Sequence, residues 1–93
     1  MPVKEVRLNG KKIARLDDLY DELARQLSFP EHFGRNLDAL LDTLSNDIEG
    51  PITVVWQYAD RSKGLLGRDF PRVMQVFHQV MEERDDFRLT LHS

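Results

Sequence analysis

The run ITVVW at residues 52–56 decides the fold. It is a series of β-branched and aromatic residues with no charged or turn-forming residue, a pattern typical of a strand covered on both faces, as in parallel sheets. Gly50-Pro51 precedes the run and a polar segment follows it, so we predict a strand with these bounds. A parallel sheet requires helical crossovers between its strands, and the sequence on either side of the run has the pattern of helices.

Two helices are predicted before this strand. Asp17 is the expected N-cap of the first and Pro30 its expected end, because the residue before a proline is pushed out of the α region. Asn36 is the expected N-cap of the second, after a loop over Ser28–Arg35, and Gly50-Pro51 stops it. The apolar residues recur at helical spacing: Leu19, Tyr20, Leu23 and Leu27 in the first helix, and Leu37, Leu40, Leu41, Leu44 and Ile48 in the second.

The ends of the chain add two strands and a long helix. Val3–Leu8 predicts a strand that meets the turn dipeptide Asn9-Gly10. Arg61–Arg68 is predicted to be a solvated loop, preceded at most by a short helix, rather than a phosphate-binding segment. Asp69 is expected to cap a helix that has Pro71 in its first turn. Apolar residues at helical spacing follow at Val73, Val76, Phe77, Val80 and Met81, and Phe87, Leu89 and Leu91 alternate in a last strand.

This order of elements predicts an α/β fold, with a small three-stranded parallel sheet and three to four helices packed on it. Ninety-three residues fit one domain over 1–93, and an apolar share of 41% is sufficient for one core. There is no cysteine, no apolar run near Met1 and no membrane-length apolar segment. We therefore expect a cytoplasmic protein that has no membrane partner.

The sequence carries no recognised motif for catalysis, a cofactor or a metal ion. His32, His78 and His92 fall in no metal-binding spacing. Asp38 and Asp42 lie one helical turn apart and could form a catalytic pair, but a solvated face is the alternative, and a helical layer of this size offers little depth for a catalytic cleft. We expect a binding protein and not an enzyme, with no cofactor. The net charge of −3 speaks against direct binding of nucleic acid.

The loop and second helix, residues 30–42, hold most of the functional information. At about 100° per residue, Leu41 lies at the border of the outer arc of the helix. His32-Phe33 precedes the helix on a loop that Gly34 is expected to bring close to another backbone. Asp38 and Asp42 beside this loop of planar side chains form an anionic patch, which suits a cationic pocket on a partner protein. An equally open alternative is that Phe33 is a core residue and that the aspartates only make the surface soluble. Four polar residues share the outer arc: Asp38, Asp42, Ser45 and Asn46.

The spacing of residues in this segment is specific. It reads Leu27-x-x-Pro30-Glu31-x-Phe33-Gly34-x-Asn36-Leu37-Asp38-Ala39-Leu40-x-Asp42-x-Leu44, and Leu8-Asn9-Gly10 and Val76-Phe77 add to it. On these residues the chain resembles, through essentially its whole length, the barstar family of intracellular inhibitors of a secreted bacterial ribonuclease.

The resemblance implies a three-stranded parallel sheet and inhibition by covering the active site of the ribonuclease. By position, Asp42 would take the place of the substrate phosphate among cations, and Asp38 would contact basic residues beside it. His32 would replace a ring that plugs the cleft. The implied partner is a basic extracellular-type ribonuclease, bound 1:1 by a monomer. The expected protein-binding residues are His32, Phe33, Gly34, Asn36, Leu37, Asp38, Leu41, Asp42, Ser45, Asn46, Asp47 and Gln79.

Four positions depart from the family pattern. The family has tyrosine at the position of His32, tryptophan at those of Leu41 and Asp47, and glutamate at that of Gln79. The backbone of the site is kept while its rim is changed, which indicates a different partner rather than loss of binding. Two functions stay open: inhibition of a barnase-like ribonuclease, or a barstar-fold module, for immunity or regulation, that binds another basic toxin or nucleic-acid enzyme.

Overall fold

The computed structural model describes residues 3–93 and contains three strands and four α-helices. A 3-10 turn at Gly10–Lys12 follows the first strand, and a π-helical turn at Thr43–Asp47 continues the second helix. The elements in chain order are β1 (Lys4–Asn9), α1 (Leu16–Leu27), α2 (Leu37–Asp42), β2 (Ile52–Gln57), α3 (Ala59–Leu66), α4 (Asp69–Glu83) and β3 (Phe87–Leu91).

The strands form one parallel sheet in the order β1-β2-β3. Val54 of β2 lies opposite Val6 of β1 and Leu89 of β3. The α/β class, the parallel sheet and the helical crossovers predicted from the sequence are therefore confirmed.

The helices contribute their buried residues to a core on one face of the sheet. The strand residues of that core are Val6, Leu8, Ile52, Val54, Trp56 and Phe87. The residues that alternate with them on the opposite face are exposed or half-buried: Glu5, Arg7, Thr53, Val55, Arg88 and Thr90. The prediction that residues 52–56 are covered on both faces is wrong, because the buried residues lie on one face while Thr53 and Val55 on the other face are only half-buried.

The free edge of β1 is closed by a side chain of α1. The amide of Gln26 accepts a hydrogen bond from the Arg7 N–H at 3.0 Å and donates one to the Arg7 carbonyl at 2.9 Å. A primary amide here imitates the pairing of a neighbouring strand, which blocks one edge from pairing with another chain.

Both ends of α1 differ from the prediction. Asp17 is not the cap: Asp18 accepts hydrogen bonds from the N–H groups of Ala14 and Arg15 at 3.0 and 3.1 Å, and the helix begins after Arg15. It ends at Leu27, before Pro30, because Ser28 adopts the left-handed conformation with φ 54°. The predicted core residues of this helix are all buried: Leu19, Tyr20, Leu23 and Leu27.

The segment Arg61–Arg68, predicted as a loop, lies largely in α3. Asp69 is the first residue of α4, immediately after Arg68 at the N-cap, so the predicted cap is shifted by one residue. Pro71 lies in the first turn of α4 as predicted, where a proline costs no helical hydrogen bond.

Candidate protein-binding face

The N-terminus of α2 is fixed by Asn36, as the sequence predicts. The side-chain oxygen of Asn36 accepts a hydrogen bond from the Ala39 N–H at 2.7 Å, and its amide nitrogen donates to the Gly34 carbonyl at 3.2 Å. One side chain therefore joins the last turn of the loop to the first turn of the helix, which satisfies an N–H group that the helix itself leaves unpaired.

Asp38 and Asp42 lie on the exposed side of α2. Asp42 accepts a hydrogen bond from the Asn46 side-chain amide at 2.9 Å, and neither carboxylate forms an ion pair with another residue in the range 3–93. Four aspartates on other elements are paired with arginines at 2.6–3.4 Å, namely Asp17, Asp21, Asp69 and Asp86, whereas the exposed Asp60 and Asp85 form no ion pair within residues 3–93. Negative potential is consequently left on α2.

A groove of about 280 Å³ runs between α2 and α4, beside these carboxylates. It brings the predicted site residue Gln79 of α4 next to three predicted site residues of α2. The lining residues are Leu37, Asp38 and Leu41 from α2, and Arg72, Gln75, Val76 and Gln79 from α4. Arg72 and Gln75 were not predicted, since only the packing of the two helices places them at this site.

The C-terminal part of the face departs from the expected arc. Ser45 is half-buried, and its hydroxyl donates to a carboxylate oxygen of Glu83 in α4 at 2.7 Å, whereas Asn46 and Asp47 are exposed. The prediction that Ser45 shares the solvent-exposed arc with Asp38 and Asp42 is wrong in this respect. The π-helical turn takes more residues than an α-helical turn, so an angle counted at α-helical spacing drifts across residues 43–47.

The loop before α2 is held to α1 by an aromatic contact. The half-buried ring of Phe33 meets Tyr20 and Phe29 edge-on, with centroids 5.7 and 4.9 Å apart, while His32 is exposed. Phe33 is thus packed against the core. The expectation that Gly34 approaches another backbone is wrong: a Cβ placed there would meet the Ala39 side chain at 3.3 Å and the Asn36 amide nitrogen at 3.5 Å.

Arg35, the last residue of this loop, adopts the left-handed conformation with φ 50°, as Ser28 does at the start of the loop. Its Nη2 lies 2.9 Å from Asp21 Oδ1 and 3.3 Å from both Asp17 Oδ1 and the Asp17 carbonyl oxygen. The hydrogen bond to Asp21 is the main cause that raises the pKa of Arg35, with Asp17 acting in the same direction. Sequence reasoning did not single out Arg35, because its partners lie on another helix.

Neither a metal centre nor a membrane span is found in the part of the chain that the structure describes. Within residues 3–93, no three His, Asp or Glu side chains are grouped so that they could hold a metal ion. No helix in that range combines the length and the apolar character needed to cross a bilayer. The features that stand out on α2 are exposed acids next to a groove.

Comparison with known proteins identifies the family of the chain. The family model Barstar, described as barnase inhibitor, matches residues 3–92. The chain is also similar to the protein named "Putative ribonuclease inhibitor YrdF" of Bacillus subtilis (strain 168), with 31% identity over 90 residues that cover 96% of this chain and 99% of that protein. Because both matches extend over nearly the whole sequence and the fold is the one the family pattern implies, the chain belongs to the barstar family.

Proposed function

We propose that this protein inhibits a basic extracellular-type ribonuclease by covering its active site with α2 and the preceding loop. The observation that carries the proposal is the pair Asp38 and Asp42: both carboxylates are exposed, one helical turn apart, and without an arginine or lysine partner among the described residues. Membership of the barstar family and the name of the Bacillus subtilis relative support it.

The physical basis is charge mimicry. A ribonuclease has to hold anionic phosphates, so its cleft is lined with cations, and an acidic protein surface of matching shape is attracted to the same cleft. Asp42 would occupy the position of a phosphate, and Asp38 would meet the basic residues beside it. Inhibition is then occlusion, in which the inhibitor performs no chemistry and needs no cofactor.

The groove beside α2 supplies the apolar part of the contact. Leu37 and Leu41 are half-buried on its α2 side, and Gln79 provides an amide on its α4 side. Binding energy in protein interfaces concentrates in a desolvated centre with a polar rim. A side chain of the ribonuclease that enters this groove would exclude water around Asp38 and strengthen the charge contacts.

The proposal also covers stoichiometry and place of action. One monomer would bind one ribonuclease, since a single face carries the determinants described above. It would act in the cytoplasm as an immunity protein, where a folded ribonuclease would otherwise degrade the RNA of the cell that makes it.

The test is an RNA-cleavage assay with a basic barnase-like ribonuclease, combined with calorimetry of the mixture. We expect cleavage to stop at an equimolar amount of this protein. Asp42→Ala is expected to weaken binding by about 2 kcal/mol or more, roughly thirtyfold in Kd, because it leaves desolvated cations on the enzyme without a partner. Asp60→Ala is the matched control, since it removes an exposed aspartate from α3, and is expected to leave Kd within about threefold.

Two outcomes would contradict the proposal. If excess protein leaves RNA cleavage unchanged, the ribonuclease is not the target, and the alternative of a different basic partner is to be tested by a pulldown from the native cell. If inhibition occurs but Asp42→Ala and Asp60→Ala bind equally well, α2 is not the surface that covers the enzyme.

A further inference from the structure

We propose that Arg35 is a positioning residue that locks the loop before α2 onto α1 in the free protein, so that the loop is already in its binding conformation when the partner arrives. This inference rests on the proposed function for the binding readout. It is based on the contact of Arg35, which has a left-handed backbone, with Asp17 and Asp21 of α1.

The backbone at Arg35 is held in a conformation that it would not adopt by itself. A residue with a Cβ is disfavoured at φ 50°, because the Cβ crowds the following carbonyl. Gly34, the preceding residue, tolerates such a conformation but does not have it. A left-handed arginine next to a glycine persists only where other contacts fix it.

The side chain of Arg35 provides these contacts. Asp17 and Asp21 lie four residues apart on α1, so they share one face of that helix, and Nη2 of Arg35 reaches both. The same nitrogen donates to the Asp17 carbonyl, and the guanidinium carbon is 5.7 Å from the centroid of the Tyr20 ring. Exposed contacts of this kind are weak one by one, but here several converge on one group.

Arg35 and Phe33 together anchor the loop from two sides. The Phe33 ring packs against Tyr20, which precedes Asp21 in the same part of α1. The Phe33 N–H donates to the Pro30 carbonyl at 3.0 Å, so the turn that presents His32 is closed between these anchors. A loop ordered before binding avoids the entropic cost of ordering it in the complex.

Removing the positive charge of Arg35 has opposite expected effects on binding if the residue acts by positioning the loop or by electrostatics. Arg35 lines a groove that also contains Asp38, so removing its cation makes the surroundings of the acidic face more negative. Electrostatics alone would then predict tighter binding of a basic partner. Positioning predicts the opposite result, weaker binding, because the loop becomes mobile.

The experiment compares Arg35→Ala with the double variant Asp17→Asn/Asp21→Asn and with Arg61→Ala, which removes an exposed arginine from α3. Amide hydrogen exchange of Phe33 and Ala39 is measured on each protein alone, and Kd is measured with a basic barnase-like ribonuclease. We expect Arg35→Ala to speed exchange at Phe33 and to raise Kd, each by about five- to tenfold. The double variant is expected to show the same changes, and the triple variant to be no worse than either. Arg61→Ala is expected to change neither quantity.

Arg35→Gly separates this role from a general loss of stability. Glycine accepts φ 50° without crowding, so the midpoint of urea unfolding is expected to be maintained while exchange at Phe33 still increases and binding still weakens. The inference is overturned if wild-type protein inhibits the ribonuclease and the Arg35 variants bind as tightly, or if exchange at Phe33 is unaltered. A wild-type protein that fails to inhibit refutes the proposed function instead, and the exchange arm, which needs no partner, then decides on the anchoring by itself.

Discussion

At the scale of single residues, Ser62 joins three parts of the fold through one hydroxyl. Its Oγ accepts a hydrogen bond from the Trp56 indole N–H at 3.0 Å and donates one to the Gly10 carbonyl at 2.9 Å. Ser62 and Trp56 are both fully buried, at 0% exposure. Gly10 lies so close to the Tyr58 carbonyl that a Cβ there would overlap with it. The hydroxyl is therefore the polar link in an apolar environment.

We predict that Ser62→Ala lowers the free energy of unfolding by about 1–3 kcal/mol, because a buried donor and a buried acceptor lose their partner together. Urea unfolding followed by Trp56 fluorescence measures the change. Ser45→Ala deletes the same atom from an exposed hydrogen bond with Glu83 and is expected to cost no more than about 0.5 kcal/mol. Equal losses in the two variants would show that water replaces the hydroxyl at Ser62.

The role of a single residue could be predicted from the sequence where its contacts are with residues close to it in the chain. Asn36 could be identified as a cap because a cap bonds to a residue three positions along the same chain. Arg35 could not, since its partners lie on α1 and nothing next to it distinguishes it from any solvated arginine. Propensity alone would favour the left-handed conformation at Gly34, but it occurs at Arg35, where tertiary contacts with Asp17 and Asp21 outweigh that preference.

At the scale of elements, the C-terminal end of the second helix is held by Arg84, which follows α4. The guanidinium donates to the carbonyls of Leu44 and Ile48 at 2.7 and 2.8 Å and pairs with Asp86 at 2.6 and 3.0 Å. These carbonyls are among those that a helix end leaves unpaired. A Cβ at Gly50 would overlap with the Asp86 carboxylate and the Arg84 guanidinium, so a larger residue there would displace this ion pair.

The Arg84–Asp86 pair predicts how stability responds to acid. The hydrogen bond from Arg84 lowers the pKa of Asp86 below its ordinary value. A carboxylate with a depressed pKa in the folded state stabilises the fold above the unfolded value, about 3.9, and this contribution is lost as pH falls through the folded value. Asp86→Asn is therefore expected to lower stability at pH 7 and to flatten the loss below about pH 4, as measured by urea unfolding at each pH.

Asp85→Asn is the control for this prediction, because the neighbouring exposed Asp85 forms no ion pair among residues 3–93. It is expected to leave the slope of stability against pH close to that of the wild type. If Asp86→Asn does not flatten the dependence of the unfolding free energy on pH, Arg84 holds the helix end without help from the Asp86 carboxylate.

The sequence predicted the strands but not α3, because the two kinds of element differ in the strength of their apolar pattern. In β2, apolar and β-branched residues follow one another and their burial alternates, which is a strong pattern. In α3, only Ala59, Ser62 and Leu66 are buried, and one of them is polar. A short helix with so few apolar positions is similar in sequence to a solvated loop, and it forms because Ser62 and Leu66 meet a core supplied by other elements.

At the scale of the whole molecule, the candidate site depends on long-range packing that local patterns do not encode. The crossovers predicted a parallel sheet, but the order β1-β2-β3 had no separate signal. Gln79 joined the expected set through the family resemblance, and only the contact between α2 and α4 places it beside Leu41. Charge pairing also depends on packing: arginines pair with Asp17 and Asp69, whereas Asp38 and Asp42, like Asp60, form no ion pair within residues 3–93.

This distribution predicts that association with a basic ribonuclease is steered by the location of charge and not by the formal net charge of −3. The association rate, measured by stopped-flow fluorescence, is expected to fall steeply as salt rises, since the screening length shrinks from about 10 Å at 0.1 M to about 3 Å at 1 M. Asp38→Asn and Asp60→Asn remove the same charge from the first turn of α2 and of α3. Only Asp38→Asn is expected to flatten the salt dependence, because its charge alone lies on the face that meets the cations. If both variants flatten it equally, the enzyme responds to the overall charge, and α2 has no special part in guiding the encounter.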